Sequence, residues 1–226
     1  MAMLTVTRPL QGEVSVAPTA PSPPALPASA YQRWIKPALD AVSAVVLLVL
    51  CLPVLLGVAV AIRVALGRGV LYRQERVGLG GRRFTIYKFR TMHHDRRRED
   101  LTLGGEDRRR THKHPNDPRH TTLGRFLRKT SLDELPQLLN VLRGDMSLVG
   151  PRPELPSVVD RYLPIHHRRH TVKPGITGSW QVSPYRDQPI TEAIGIDLTY
   201  VDSVSFVTDC AVLVKTIPAV LSRRSF

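Results

Sequence analysis

Residues 41–62 read AVSAVVLLVLCLPVLLGVAVAI, from Ala41 to Ile62 without one charged side chain, and this run decides what kind of chain carries it. As a straight helix, roughly 22 residues at about 1.5 Å each reach about 33 Å, enough to cross the hydrocarbon core of a bilayer. A buried helix in a water-soluble protein rarely needs so long an unbroken stretch, so the run is read as membrane-inserted. Crossing is a separate matter. Pro53, near the middle, removes a backbone hydrogen bond and kinks a helix. Arg33 and Lys36 precede the run, and Arg63, Arg68, Arg73 and Arg76 follow it. Flanks rich in Lys and Arg prefer the cytoplasmic side, and here both qualify. A helix bent at Pro53 that dips into one leaflet and returns satisfies both flanks, whereas a plain span with a short external tail satisfies one. Charge and proline leave the two open.

Working outward, residues 1–32 are rich in Pro, Ala and Ser with no apolar periodicity, and predict a disordered tail. A secretory signal is not expected, because the apolar run starts too far in and lacks a cleavage pattern. Residues 33–67 form the membrane part and 68–226 a polar part able to fold in water. In the latter, VLYRQERVG and RRFTIYKFRTM flank LGG, predicting a β-hairpin with Phe84, Ile86 and Lys88 on one face. Residues 93–120 mix dense charge with Gly and Pro and predict a long exposed loop. Leu123, Phe126 and Leu127, then Leu138, Leu139, Val141 and Leu142, space two short helices. Near the end, LTYVDSVSFVTDCAVLVKTIPAVL predicts an amphipathic helix on the bilayer surface or on the core. The fold class is therefore α+β, mainly helical. Cys51 and Cys210 are too few for a disulfide framework or a zinc site, and predict reduced, buried thiols. With 32 Lys+Arg against 19 Asp+Glu the formal charge is +13, which points to an anionic partner.

The stretch RKTSLDELPQLLNVLRGDMSLVGPRPE, residues 128–154, places Asp133 and Glu134 side by side among cations. Ser131 to Glu134 matches a capping box, in which Ser131 caps a helix and Glu134 reaches back. Pro136 opposes that register, because it would be the fifth helical residue and lacks the N–H needed there. Proline is comfortable at the first helical position. A helix starting at Pro136 would leave both acids before its positive end, a zone that also attracts phosphate. Arg128, Lys129, Arg143 and Arg152 are candidate countercharges. Such acids stay ionised at neutral pH and suit nucleophilic attack or metal binding better than proton donation. In GDMSLVGPRPE, Gly150 permits a close approach, and two prolines limit where Arg152 can point, as a phosphate clamp requires.

These segments, with YKFRTM, NDPRHTTLGRF and KPGITGSWQV, closely resemble the bacterial sugar transferase family, the small monotopic phosphoglycosyl transferases, from about Lys36 to Thr216. The resemblance implies a monotopic protein with a re-entrant helix broken near Pro53, on the cytosolic face of the bacterial inner membrane. It implies transfer of a sugar-1-phosphate from a UDP-sugar to polyprenol phosphate with release of UMP, initiating a surface glycan. It assigns Asp133 as the nucleophile that forms a covalent phosphosugar intermediate. Glu134 becomes a Mg²⁺ ligand or a base, with Mg²⁺ near both acids. Arg128 and Arg152 match phosphate-contacting arginines, and Lys88 lies in a further motif. After GITGSWQVS a Gly-Arg pair is expected where Pro184-Tyr185 stands, so Arg186 is the candidate replacement for nucleotide binding. A usual Asn-Trp-Ser is Ser203-Val204-Ser205 here. The implied partners are a UDP-sugar, polyprenol phosphate and the phospholipid membrane; self-association into a homo-oligomer stays open.

Rival readings are weaker. A nucleic-acid binder is not expected, because the basic residues are scattered, no recognition motif is present, and a membrane segment adjoins them. His166 and His170 have i, i+4 spacing, but HHRRH holds no acid, and its arginines repel a cation. The histidines, including His93, His94, His112, His114 and His167, are read as loop and surface residues. An inactive scaffold of the same fold is disfavoured by the intact acid pair.

Overall fold

The structure is a computed structural model that describes residues 29–93 and 121–222. A π-helical turn, Tyr31–Ile35, leads into α1, Lys36–Leu66. Tyr31 and Gln32, expected to belong to the tail, are thus already helical. Helix α1 continues through Pro53 and ends at Gly67, whose φ of 78° suits glycine. Pro53 lacks the N–H for one backbone hydrogen bond inside it. By length and composition Tyr31–Leu66 can cross a membrane.

One stripe of α1 packs inward. Lys36, Asp40, Ala44 and Ile62 are buried, and Leu48, Leu55, Val58, Ala59 and Leu66 fill the gaps between them. These spacings of three, four and seven mark a single helical face. The rest of the helix presents Val42, Val49, Leu50, Leu56, Val60 and Val64 outward.

The hairpin forms where its alternation placed it. Strand β1, Leu71–Val77, pairs antiparallel with β2, Arg83–Phe89, in a register running from Leu71↔Phe89 to Val77↔Arg83. Ile86 is buried and Phe84 packs beside it, under α1. Helix α2, Thr122–Thr130, is capped by Thr121, whose hydroxyl accepts from the Gly124 N–H at 2.8 Å. Gly124 brings α2 against the end of β2; a Cβ there would lie 1.9 Å from the Thr91 carbonyl oxygen. A 3₁₀ segment, Leu132–Gln137, continues into α3, Leu138–Leu142.

Two three-residue strands, β3 (Ser147–Val149) and β4 (Gly175–Thr177), pair in parallel. Between them lie α4, Pro156–Val159, and a 3₁₀ segment, Pro164–Thr171. Helix α5 spans Ile190–Asp202 and α6 spans Phe206–Leu221. The single amphipathic helix expected near the C-terminus is therefore two, parted at Ser203–Ser205. Ser205 explains the break: its hydroxyl accepts from the Thr208 N–H and starts α6 afresh. Helix α6 leaves Phe206, Val207, Val214, Ile217 and Leu221 exposed. Cys51 and Cys210 are free and half-buried rather than buried. The predicted loop beyond His93, with His94, His112 and His114, and the tail before Ser29 lie outside the described residues.

Candidate active site

Asp133 and Glu134 sit within the 3₁₀ segment, on a short turn between α2 and α3. Ser131, just before them, is left-handed (φ 58°), terminates α2 through its N–H to the Arg128 carbonyl, and makes no side-chain cap. An N-cap residue needs extended backbone, so the capping-box reading fails. The register that starts a helix at Pro136 also fails. Pro136 lies inside the 3₁₀ run, and the α-helix begins at Leu138. The tighter 3₁₀ turn still leaves both acids short of an α-helical N-terminus.

Glu134 turns toward cations. Its Oε1 accepts from Lys88 Nζ at 2.7 Å and from Arg152 Nη1 and Nη2, both at 3.4 Å. Asp133 is buried at 9 % exposure. Burial pushes the Lys88 amine below its ordinary value, against the pull of Glu134; the Arg152 charge adds to the lowering. Arg76 enters the same field from β1. Burial first, then the neighbouring Arg152, push its guanidinium down to about 10. Among the described residues, Lys88, Arg152 and Arg76 thus lie close to the acid pair.

Each residue of YKFRTM contributes to this placement except its methionine. The Tyr87 N–H and the Thr85 carbonyl bond the two ends of the fully buried Asn140 amide, at 3.1 and 2.7 Å. Asn140 takes the place of a third strand there and fixes β2 beside the acids. Lys88 reaches Glu134, and Phe89 joins the core with Ile62 and Leu127. Arg90 donates to the carbonyls that end α1, among them Leu66 and, at 2.6 Å, Arg68. Thr91 accepts from Arg128 Nε at 3.1 Å.

The structure therefore brings Asp133, Glu134, Lys88 and Arg152 together, with Arg128 tied to the same strand end. It places the other candidates elsewhere. Arg186 donates to the Ala219 carbonyl near the end of α6 at 3.1 Å. Arg143 stacks on Tyr87, on the opposite face of β2 from Lys88, with its carbon 4.9 Å from the ring centre. The histidines are not all surface residues. His170 is buried against Tyr162, and burial pushes its imidazole down to about 4, with the Arg169 and His167 charges adding to it. No group of three or more His, Cys, Asp or Glu side chains able to hold a metal is found among the described residues. Sequence reasoning treated Arg76 only as a flanking charge. The signal was present: Arg76 pairs with Phe84 and Tyr72 with Lys88, so alternation puts Arg76 on the Lys88 face.

Mg²⁺ takes one or two carboxylates and completes its shell with substrate phosphates and water. Asp133 and Glu134 are the carboxylates here that could offer oxygens to such an ion, and Glu134 Oε1 already accepts from Lys88 and Arg152.

Comparison with known proteins places the chain. The sequence model of a family described as bacterial sugar transferase matches residues 31–223. The sugar transferase EpsL of Bacillus subtilis (strain 168), named as uncharacterized, is 40% identical over 187 residues, covering 83% of this chain and 87% of EpsL. A UDP-glucose:undecaprenyl-phosphate glucose-1-phosphate transferase of Caulobacter vibrioides is 42% identical over 195 residues, 83% of this chain and 70% of that protein. An undecaprenyl-phosphate galactose phosphotransferase of Salmonella typhimurium is 39% identical over 197 residues, 84% of this chain but 41% of that protein. The chain belongs to the bacterial sugar transferase family. It is an enzyme, a transferase of that class.

Proposed function

We propose that this protein transfers a sugar-1-phosphate from a UDP-sugar to a polyprenol phosphate of the undecaprenyl type, releasing UMP and starting a bacterial surface glycan. The observation that carries the reading is the Asp133–Glu134 pair held against Lys88 and Arg152, with Arg76 beside them. Phosphoryl transfer needs charge neutralisation and in-line positioning more than elaborate proton chemistry. In the first step an Asp133 carboxylate oxygen attacks the β-phosphorus, and the bond to the bridging oxygen breaks, so that UMP leaves with that oxygen. The sugar phosphate stays on the protein as an acyl phosphate. In the second step a phosphate oxygen of the lipid attacks the same phosphorus and the carboxylate departs. Lys88, Arg152 and Arg76 neutralise the transferring phosphoryl oxygens, and Arg128 serves from its seat on Thr91. Mg²⁺ held by Asp133 and Glu134 would neutralise diphosphate charge when bound. Arg186 is left for nucleotide contact only if it releases the Ala219 carbonyl.

The protein works from the cytosolic face of the inner membrane, with α1 embedded in one leaflet. Support comes from its two ends, which bond to one folded body. At the start, Lys36 reaches Asp209 and the Asp40 carboxylate accepts from the Leu148 N–H at 3.0 Å. At the finish, Arg90 holds the carbonyls of Leu66 and Arg68. A full crossing would carry one end about 30 Å away through hydrocarbon. The outward apolar faces of α1 and α6 suit lipid, and a lipid substrate can then react at headgroup height.

The test mixes membranes, polyprenol phosphate and Mg²⁺ with a panel of UDP-sugars and records UMP. One sugar should give UMP with wild type and none with Asp133→Asn; full activity of Asp133→Asn refutes the mechanism. A thiol tag near residue 30 should resist an impermeant reagent added outside intact cells. External labelling refutes the one-leaflet arrangement.

A further inference from the structure

The Pro-Arg-Pro segment cannot hold itself in place. Pro151 and Pro153 have no N–H, so the segment offers one backbone donor and otherwise only acceptors. Its carbonyls are nevertheless each received by a separate donor. Pro151 O accepts from the Gly175 N–H at 3.0 Å, Arg152 O from Arg169 Nη2 at 2.8 Å, and Pro153 O from Arg76 Nη1 at 3.3 Å. Glu154 O accepts from the Val77 N–H at 2.9 Å. Two of these donors are side chains, Arg76 from β1 and Arg169 from the 3₁₀ segment Pro164–Thr171, and Arg169 holds the central carbonyl.

That donor is itself rigidly held. Arg169 Nη2 also reaches Asp197 Oδ2 at 2.6 Å, and Arg169 Nη1 reaches the Tyr162 hydroxyl. Both members of the pair are 1% exposed. Sealing two charges away from water is costly, and replacing such pairs by apolar side chains is often neutral or stabilising. Stability is therefore a weak reason for this pair. Its geometric product is a guanidinium locked at one point, with a hydrogen left over for Arg152 O.

We infer that Arg169, anchored by Asp197, is a positioning residue that sets the peptide plane at Arg152 and so aims the Arg152 guanidinium at Glu134. The inference rests on the phosphoryl-transfer reading for its catalytic consequence, but not for its structural one. Releasing the Arg152 carbonyl frees the plane between two prolines to rotate, and a displacement of about 1 Å at a charge clamp can cost about a hundredfold in rate.

Two measurements test it on the full-length protein in membranes or detergent. In hydrogen exchange, Arg169→Gln should speed the amides of Gly150, Arg152 and Glu154 by about tenfold or more, with α1 and the hairpin unchanged. In UMP release, Arg169→Gln should lose about ten- to a hundredfold in the wild-type background and less than about twofold when Arg152 is already alanine. Arg169→Lys, which keeps the charge and one donor, should recover most of the loss. Losses that multiply in the double variant, or exchange at these three amides equal to wild type, overturn the inference. If Arg169→Gln does not fold, Asp197→Asn carries the same comparison with the same outcomes. If wild type releases UMP from no UDP-sugar, the functional reading falls, and the exchange measurement alone decides this one.

Discussion

Glu134, half-buried, and Asp209, buried, are both carboxylates bonded to a lysine, and they do opposite work. Asp209 takes Lys36 Nζ at 2.5 Å and Tyr31 OH at 2.6 Å on one oxygen, and Tyr200 OH at 2.7 Å on the other. One carboxylate meets one cation and two neutral donors, and the Tyr200 hydroxyl also reaches Val149 O. The cluster, with the buried Asp40 near by, ties the start of α1 to α5, α6 and β3. Around Glu134, Lys88 and Arg152 share one oxygen, and Arg76 adds its charge from the side. The Asp209 cluster is scaffolding; the cluster at Glu134 is, in the proposed function, the open one that receives a phosphate.

The sharpest way to break the comparison is Asp133→Asn, which should lower UMP release by about 10³-fold or more while leaving thermal stability within a few degrees. Retained activity would make the open cluster scaffolding too. Glu134→Gln comes next, with an expected loss of about 10²-fold and a folded protein. Asp209→Asn should do the reverse. It leaves Lys36 buried without its countercharge, costs about 3–5 kcal/mol in detergent unfolding, and spares the turnover of the molecules that remain folded.

The last prediction concerns pH. His170 has a folded value of about 4 against 6.5 in the unfolded chain. Between those values the unfolded chain binds a proton that the folded one refuses. Its contribution is therefore complete above about pH 6.5 and lost as pH falls toward about 4. His170→Phe should flatten the acid side of the stability curve, by up to about 3 kcal/mol between these pH values. An unchanged curve would show that the imidazole titrates normally.

What was legible in the sequence follows from the range of the forces involved. The face carrying Phe84, Ile86 and Lys88 was readable because strand alternation is local, and the apolar run because twenty-odd residues speak together. The acid pair was readable as chemistry, yet its local geometry was not. Ser131 is left-handed, and a non-glycine residue seldom announces that conformation. The split at Ser203–Ser205 was missed because apolar spacing continues on both sides of it. Arg169 was hidden most thoroughly. Inside HHRRH it reads as a solvated charge, and its anchor Asp197 lies 28 residues away, with no spacing that links the two.

Lys88 lies inside β2 and Arg90 directly follows that strand. Arg90 grips the carbonyls at the end of α1, and Lys88 grips the Glu134 carboxylate. One short length of backbone therefore couples the apolar helix to the acid pair, so that a shift at the end of α1 is felt at the ammonium group.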